Sequence, residues 1–461
     1  MALPNILVIL TDDQRYNTIH ALGNQTIQTP NLDRLVRRGT SFTNAHIPGG
    51  TVGAICMPSR AMLNTGRTLF HLEENGQTVP KEHTLLGEHL KEHGYECFGT
   101  GKWHNSPAAF TRAFSNGENI FFGGMWDHWN VPVCNYDITG QYDNVIDFVC
   151  DFYHSNQTTP INCDKFHPGV HSSTLLTDTA VKFVEEYAGH KPFFLYTAYL
   201  APHDPRTMPE KYRSLYNPDD IELPANFTEN PLEFGVQNIR DEVLAAYPRD
   251  PAEIRRHIAE YYGMITHLDA EIGRLLDSLE KKGVLENTII VFAGDNGLAV
   301  GCHGLMGKQN HFEHSIRVPL ILAGPGIPEG ETRGQFVYLL DVYPTLCELL
   351  HLPIPTSVEG ISFARMLSEP AYTTRETLYF AYANLIRSIK KGDWKLIEYC
   401  TEIRKTQLFN LREDPDECVD LYPDQKDSDV VGRLREEMFA IRDAWEDRSH
   451  PLGEEFWRNY E

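Results

Sequence analysis

The chain has 461 residues, of which 41% are hydrophobic and 23% are charged. This length and balance are typical of a globular protein with a large core and two or more domains. The formal net charge of −23 argues against nucleic acid and anionic membranes as partners, because long-range electrostatic steering toward them is repulsive. An anionic substrate therefore requires basic residues that are concentrated locally.

No run approaches the roughly 18 uninterrupted apolar residues of a membrane span. The first five residues lack a basic region and lead directly into a strand, so no signal peptide is visible. As it stands, the chain is predicted to be cytoplasmic, or periplasmic or secreted if a leader has been removed. The nine cysteines form no regular framework, so we expect mostly buried thiols, one of them reactive.

Short apolar runs alternate with helix-like stretches through the first three quarters of the chain. Strands are predicted at residues 5–10, 95–99, 193–199, 288–293 and 320–323, and helices at 84–93, 173–188 and 251–282. This alternation predicts an α/β fold in which helices flank a central, mostly parallel sheet. Ligand sites in such folds lie beyond the carboxyl ends of the strands.

The pattern changes near residue 355. Strands at 377–382, 385–390 and 394–399, with a tight turn at Gly392-Asp393, precede an amphipathic helix at 429–447. We therefore expect a catalytic domain at 1–355 and a smaller α+β subdomain with an antiparallel sheet at 356–461. Residues 105–165 are rich in aromatics, glycine and asparagine, and are expected to form an extended loop layer over the site.

The most informative stretch begins at Cys56. Pro58 lies just inside an apparent helix start, which is a preferred position for proline. Cys56 is then placed beside free amide donors at the positive end of the helix, which favours anions and lowers a thiol pKa. Arg60, near the same end, is placed to bind a tetrahedral oxyanion with its planar fork. The alternative is a small buried cysteine with Arg60 in solvent.

An acidic cluster follows two of the predicted strands. Asp12 and Asp13 follow the first strand, and Asp295 and Asn296 follow the strand at residues 288–293. Three carboxylates and an amide oxygen at strand ends form a hard ligand set that suits Ca²⁺ or Mg²⁺ rather than zinc. The alternative is that each pair merely caps a turn or a helix.

One twelve-residue string ties these features to a known family. It resembles the type I sulfatase signature Cys-x-Pro-Ser-Arg-x-x-Leu-x-Thr-Gly-Arg at every specified position and runs Cys56-Met57-Pro58-Ser59-Arg60-Ala61-Met62-Leu63-Asn64-Thr65-Gly66-Arg67. The resemblance implies an alkaline-phosphatase-like sandwich and a cysteine that a formylglycine-generating maturation enzyme oxidises. It also implies that Asp12, Asp13, Asp295, Asn296 and the group derived from Cys56 hold one metal ion. Calcium is favoured, and the ligand types alone leave magnesium open.

Basic residues complete the resemblance. The block after the strand at 95–99 resembles a family motif and reads Gly101-Lys102-Trp103-His104. By resemblance, the hydrated aldehyde attacks sulfur while Arg60, Lys102 and Lys308 stabilise charge on the transferring group. His203, together with Lys308, protonates the departing alcohol. His104 takes the remaining hydroxyl proton, so the covalent sulfo-enzyme collapses to the aldehyde and free sulfate.

Substrate identity has to come from the variable loops. Aromatic faces and polar groups that suit a sugar ring occur at Trp126, Asp127, His128 and Trp129. The alternative is an aromatic cluster that packs the long loop onto the core. Further candidates for the pocket are His303, His311 and, toward a uronate carboxylate, Arg387. We expect an exo-acting sulfatase that uses sulfated glycans or glycosaminoglycan fragments, with a small sulfated saccharide as its binding partner.

Two alternatives stay open at this stage. The first is a phosphonate monoester or phosphodiester hydrolase of the same superfamily, which uses the same aldehyde and metal ligands. The second is a catalytically silent glycan-binding protein, which predicts an unmodified Cys56 and no bound metal. Against the second alternative, every expected chemical position in the sequence is occupied.

Overall fold

The computed structural model describes residues 3–151, 153 and 155–460. Its α-helices are Pro30–Arg38, Cys56–Thr65, Leu86–Glu92, Pro107–Ala113, Ser172–Glu186, Glu210–Arg213, Pro251–Lys282, Glu313–Ile316, Val342–Leu349, Arg365–Ser368, Tyr422–Gln425, Asp429–Ala444 and Pro451–Tyr460. Among these described residues, no helix combines the length and the apolar character needed to cross a membrane.

An eight-stranded sheet forms the centre of the larger part of the molecule. Its strands follow the order Glu331–Arg333, Gly39–Phe42, Leu320–Ala323, Thr288–Gly294, Asn5–Thr11, Phe193–Ala198, Glu96–Lys102 and Asn116–Phe121. The last five are mutually parallel, and Leu320–Ala323 runs antiparallel to both of its neighbours. The predicted mostly parallel sheet is therefore confirmed.

The first strand shows why the apolar runs are continuous. Every residue of Asn5–Thr11 is buried. Leu7 and Ile9 belong to a core with the helices Ser172–Glu186 and Pro251–Lys282, whereas Ile6 and Val8 belong to the core on the other face. Successive side chains along the strand point to opposite faces of the sheet. Because helices or loops cover both faces, the side chains on each face are apolar, and the apolar run is continuous.

A second sheet of five strands lies in the C-terminal part. Its strands follow the order Arg404–Asn410, Trp394–Cys400, Ile386–Lys391, Thr377–Tyr382 and Gly49–Gly50. The first four pair antiparallel, as predicted, although Arg404–Asn410 was not expected as a strand. Gly49–Gly50 joins the edge in parallel with Tyr382, so the N-terminal part of the chain also contributes to this sheet.

The described residues of the segment 105–165 do not form only the extended loop layer that was expected. Its helix Pro107–Ala113 and its strand Asn116–Phe121 belong to the scaffold, the strand as the edge of the main sheet. The remaining short strands pair as Val145–Val149 with Thr158–Asn162, Pro132–Val133 with Lys165–Phe166, and, elsewhere, Ala45–His46 with Val337–Tyr338. Among the described residues of this segment, the stretches between these elements have the irregular character that was predicted.

Candidate active site

Two adjacent strand ends form the floor of the candidate site. Strands Asn5–Thr11 and Thr288–Gly294 are parallel neighbours, and Thr11 is paired with Gly294. The acidic pairs that follow them therefore meet at one edge of the sheet. The backbone N–H of Asp13 donates to Asp295 Oδ1 at 3.1 Å, and Asn296 Nδ2 donates to Asp13 Oδ1 at 2.6 Å.

The oxygen atoms of this floor fit a hard divalent cation. Oδ1 of Asp12 and Oδ1 of Asn296 are buried and have no hydrogen-bond partner. Ligand atoms of Asp12, Cys56 and Asp295 lie within 4.8 Å of one another. Since an unpartnered buried oxygen carries a desolvation cost, an ion bound there would satisfy both atoms. The donor set is the type that Ca²⁺ and Mg²⁺ prefer.

Cys56 is the first residue of the helix Cys56–Thr65, and Pro58 lies in its first turn, as predicted. The Sγ atom lies 3.3 Å from His104 Nδ1 and 3.5 Å from Lys102 Nζ. The expected lowering of the thiol pKa is wrong, because burial outweighs Lys102 and Lys308 and raises the pKa of Cys56 to about 11. The unmodified thiol is therefore protonated and a poor nucleophile.

Three cations are paired with the acidic floor. Arg60 Nε donates to Asp295 Oδ2 at 2.8 Å. Lys102 Nζ donates to Asp12, and Lys308 Nζ donates to Asp13 Oδ1 at 2.5 Å. The side chains of all three cations are almost completely buried. These three cations offset the charges of Asp12, Asp13 and Asp295, so a bound divalent cation would give the site the net positive charge that an anionic substrate needs.

The two buried carboxyls Asp12 and Asp295 differ in their response to this environment. Burial opposes ionisation of Asp12, yet Lys102 and Arg60 hold the pKa of its carboxyl well below the ordinary value. Burial and the neighbouring Asp12 charge raise the pKa of Asp295 to about 6. The floor thus contains carboxylates that repel each other, and a bound cation would relieve this repulsion.

Two histidines face the site in different surroundings. Burial and the nearby Lys102 lower the pKa of His104 well below its ordinary value, so its imidazole is neutral and able to accept a proton. The Nδ1–H of His203 donates to the carbonyl oxygen of Asp204 at 2.7 Å. This bond leaves His203 Nε2 directed toward Asp13, whose Oδ2 lies at 3.7 Å.

A cavity of about 300 Å³ opens above the floor. Its inner wall includes the predicted residues Cys56, His104, His203 and Lys308. Residues that the sequence did not single out complete the lining: Gly53, Ala54, Gly124, Met125, Ile239, Arg240, Asp241 and Gln309. Some of these residues adjoin predicted ones, since Met125 directly precedes the cluster at 126–129 and Gln309 directly follows Lys308. The segment at 239–241, by contrast, lies in an irregular loop without a motif.

Comparison with known proteins decides the family. The family model described as Sulfatase matches residues 4–352. The chain belongs to the sulfatase family. A second family model, described as N-sulphoglucosamine sulphohydrolase, C-terminal, matches residues 301–444. This sulfatase is accordingly a sulfuric ester hydrolase, as the signature at Cys56 predicted.

Three relatives illustrate the range of the family. An arylsulfatase of Clostridium perfringens is 28% identical, with 94% of this chain and 93% of that protein covered. An N-acetylglucosamine-6-O-sulfatase of Bacteroides thetaiotaomicron is 24% identical, with 91% and 82% covered. A solved structure, described as a complex with its substrate D-glucosamine-2-N,6-O-disulfate, has a TM-score of 0.74 at 22% identity and covers 97% and 99%.

In this sulfatase the four residues at 126–129 lie outside the cavity lining. The ring of Trp126 packs against Phe148 at a centroid distance of 5.5 Å, and Asp127 Oδ1 accepts from the backbone of Trp129 at 3.0 Å. His128 Nε2 lies 2.9 Å from the carbonyl oxygen of His203. The packing alternative therefore describes this cluster, and His128 supports the loop that carries His203.

Three further candidates are also used elsewhere. His303 stacks on Phe312 at 3.7 Å, and His311 Nδ1 lies 2.9 Å from Ser388 Oγ. The expectation that Arg387 reaches the pocket is wrong. Its side chain is buried, and its three nitrogens donate to Asp447, Ala383 and Ile386 within the C-terminal part. All three nitrogens of Arg387 are thus engaged within the C-terminal part, and the residue does not line the cavity.

Proposed function

We propose that this sulfatase removes a sulfate ester from the end of a saccharide, using a formylglycine made from Cys56 and a divalent cation, with Ca²⁺ favoured over Mg²⁺. The observation that carries the proposal is the position of Cys56. Its Sγ atom and carboxylate oxygens of Asp12 and Asp295 form one tight group. The Sγ atom of the unmodified cysteine marks the position that the oxygen of the modified side chain would take in the mature enzyme.

The chemistry divides between the modified group and the ordinary side chains. When present, the aldehyde hydrate would supply the oxygen nucleophile, and a cation held by Asp12, Asp13, Asp295 and Asn296 would neutralise charge on the sulfate. Arg60 and Lys102, held by Asp295 and Asp12, present fixed positive charge that needs no rearrangement during the reaction. His104, whose Nδ1 lies 3.3 Å from the Cys56 sulfur, accepts the proton from the neighbouring hydroxyl.

Protonation of the leaving alcohol is assigned to a second pair of residues. His203 and Lys308 line the same cavity, and both contact Asp13 rather than Cys56. A proton delivered from His203 Nε2, with the Lys308 ammonium close by, stabilises the departing oxygen of an alcohol that leaves poorly on its own. Such a pair is needed for sugar sulfates far more than for activated aryl sulfates.

The saccharide is supported by the shape of the cavity and by the relatives. A volume of about 300 Å³ is at the small end of ligand pockets, which favours one terminal sugar ring and exo action. Two of the relatives described above are named for a sulfated glucosamine substrate.

We also propose that residues 1–355 form the catalytic domain, that 356–461 form the C-terminal subdomain, and that a formylglycine-generating enzyme is required for maturation.

The direct experiment is a screen of the matured enzyme on sulfated mono- and disaccharides, with release of inorganic sulfate as the readout. We expect one or a few terminal sugar sulfates to be cleaved, and expect the Cys56→Ala protein to release none. Faster turnover of phenyl phosphonate esters than of sulfate esters would favour the phosphonate hydrolase instead. Binding of glycans without any turnover in fully modified protein would favour the silent binding protein.

A further inference from the structure

A short turn that the sequence did not single out borders the cavity. Ile239, Arg240 and Asp241 line it, and the backbone N–H of Glu242 donates to the carbonyl oxygen of Ile239 at 3.1 Å. We call residues 239–242 the wall turn. It is linked to each of the two residues that are proposed to protonate the leaving alcohol, in each case through one intermediate residue.

On one side, the wall turn holds the histidine. Arg240 Nη2 donates to Asp204 Oδ2, and its Nη1 donates to Asp241 Oδ1 at 3.2 Å. Asp204 directly follows His203, and its carbonyl oxygen accepts the Nδ1–H of that histidine. Since Nδ1 is fixed in this way, the position of Asp204 determines where His203 Nε2 points. Arg240 therefore acts on His203 through Asp204.

On the other side, the wall turn holds the lysine. Gln309 Nε2 donates to Asp241 Oδ2 at 2.7 Å, and Gln309 Oε1 accepts the backbone N–H of Lys308 at 2.9 Å. Glu242 accepts the backbone N–H of Gly307 at 2.8 Å. The backbone at Lys308 is thus held from two neighbouring residues of the same turn.

We propose that Arg240 and Asp241 are positioning residues that keep His203 and Lys308 at one fixed spacing, so that both act on the leaving oxygen. The inference rests on the proposed role of that pair in protonating the alcohol. Its physical basis is that proton transfer requires correctly placed donors. Asp13 contacts the tips of both side chains, and the wall turn fixes the backbone segments that carry them. The planar fork of Arg240 suits the task because it binds Asp204 and Asp241 together.

The test is the dependence of the rate on the leaving group. Arg240→Gln and Asp241→Asn are compared with the parent enzyme on 4-nitrophenyl sulfate, phenyl sulfate and a cleaved sugar sulfate. Since general acid catalysis contributes about 10²- to 10⁴-fold, we expect kcat to fall about 30-fold on the sugar sulfate and about threefold or less on 4-nitrophenyl sulfate. Arg240→Lys keeps the charge but loses the fork, and should fall between parent and Arg240→Gln.

The chain offers a matched control in Arg274. It is 47% exposed, against 41% for Arg240, and it also binds two carboxylates, those of Asp178 and Glu271. None of these three residues lines the cavity. Arg274→Gln should leave the rates on all three esters unchanged. Thermal unfolding and the mass of the Cys56 peptide, measured for every variant, separate a positioning effect from loss of folded or matured protein.

The possible outcomes separate this inference from the proposed function. A loss that grows as the leaving group becomes poorer supports the positioning role. An equal loss on all three esters, or no loss on the sugar sulfate, overturns it while leaving the sulfatase assignment intact. If Arg240→Gln does not fold, Asp241→Asn and Arg240→Lys decide by the same criterion. A matured parent enzyme that releases no sulfate from any ester overturns the proposed function and this inference together.

Discussion

Two groups of buried charges in this molecule are similar in composition but differ in how their polar atoms are satisfied. In the cavity floor, Asp12 Oδ1, Asn296 Oδ1 and Arg60 Nη2 are buried without a hydrogen-bond partner. The C-terminal ion pairs, by contrast, use their charged atoms in contacts with one another and with nearby groups. They are Arg387–Asp447, Lys390–Glu313 and Lys395–Glu417.

The difference separates a functional site from a structural one. Buried polar groups are almost always paired. Single unpaired atoms also occur elsewhere in the described residues, for example Ser41 Oγ and His89 Nε2. The indication of an ion or substrate site is therefore the grouping of unpaired atoms with three buried carboxylates at the cavity floor. A saturated ion pair has no capacity left for a ligand, and its removal affects folding instead. Changes in the cavity floor should therefore alter turnover, and changes in the C-terminal ion pairs should alter stability.

The largest effect is expected at Cys56. Cys56→Ala removes the precursor of the nucleophile, so kcat on any cleaved sulfate ester should fall about 10⁴-fold or more. Cys347→Ala is the matched control, because Cys347 is also a buried cysteine in a helix but lies away from the cavity. Steady-state kinetics of the two variants checks this. Residual activity of Cys56→Ala within tenfold of the parent would place the chemistry elsewhere.

The next largest effect is expected at the C-terminal ion pairs, and it is an effect on the free energy of unfolding rather than on turnover. Arg387→Met leaves the carboxylate of Asp447 buried with its strongest partner missing. The free energy of unfolding should therefore fall by about 3–5 kcal/mol. Guanidinium denaturation measures this loss, and kcat of the protein that remains folded should be unchanged. A large loss of kcat at unchanged stability would show that Arg387 belongs to the active site. It would contradict the distinction between the two groups of buried charges.

A smaller change in stability is expected from metal binding. After chelation, Ca²⁺ at about 100 times its dissociation constant should stabilise the protein by about 2.7 kcal/mol and raise the melting temperature. Asp295→Asn should abolish this gain. An undiminished calcium shift in Asp295→Asn would exclude this floor as the metal site.

The smallest effect is a pH dependence at His46, which lies beside Lys390 and Glu313. Burial, with a further contribution from Lys390, lowers the pKa of His46 to about 4. Because this value lies below that of an unfolded histidine, its stabilising contribution is complete above about pH 6.5 and is lost toward pH 4. The loss at pH 5 should be about 2 kcal/mol. His46→Gln should flatten the stability profile between pH 6.5 and 4, and parallel profiles would contradict this.

The elements that the sequence predicted well are those whose signals are local. The helix Pro251–Lys282 has the predicted bounds, because Asp250 caps its start and Gly283 adopts a left-handed conformation at its end. The strand Asn5–Thr11 extends the prediction by one residue. The cavity floor was also predictable, since its acidic residues directly follow buried strands and its cysteine begins a helix that has a proline in its first turn.

The features that were missed depend on contacts between distant segments. Arg404–Asn410 becomes a strand by pairing with Trp394–Cys400. Its side chains do not alternate between buried and exposed, because Arg404 is exposed, the next two residues are half-buried and the three after them are buried. The wall turn gains its role only through Asp204 and Gln309, which lie far from it in the sequence. Arg387 was misplaced because a buried arginine and a substrate-binding arginine look the same until their partners are known.

The central claim is that Cys56 is the precursor of the nucleophile of a sulfatase. Its most direct test is the mass of the peptide that contains Cys56, measured on the same matured sample whose sulfate release is assayed. We predict a peptide about 18 Da lighter than the cysteine form, since a thiol becomes an aldehyde, and a turnover that rises in proportion to the modified fraction. Full sulfatase activity in a sample whose peptide is entirely unmodified would contradict the claim.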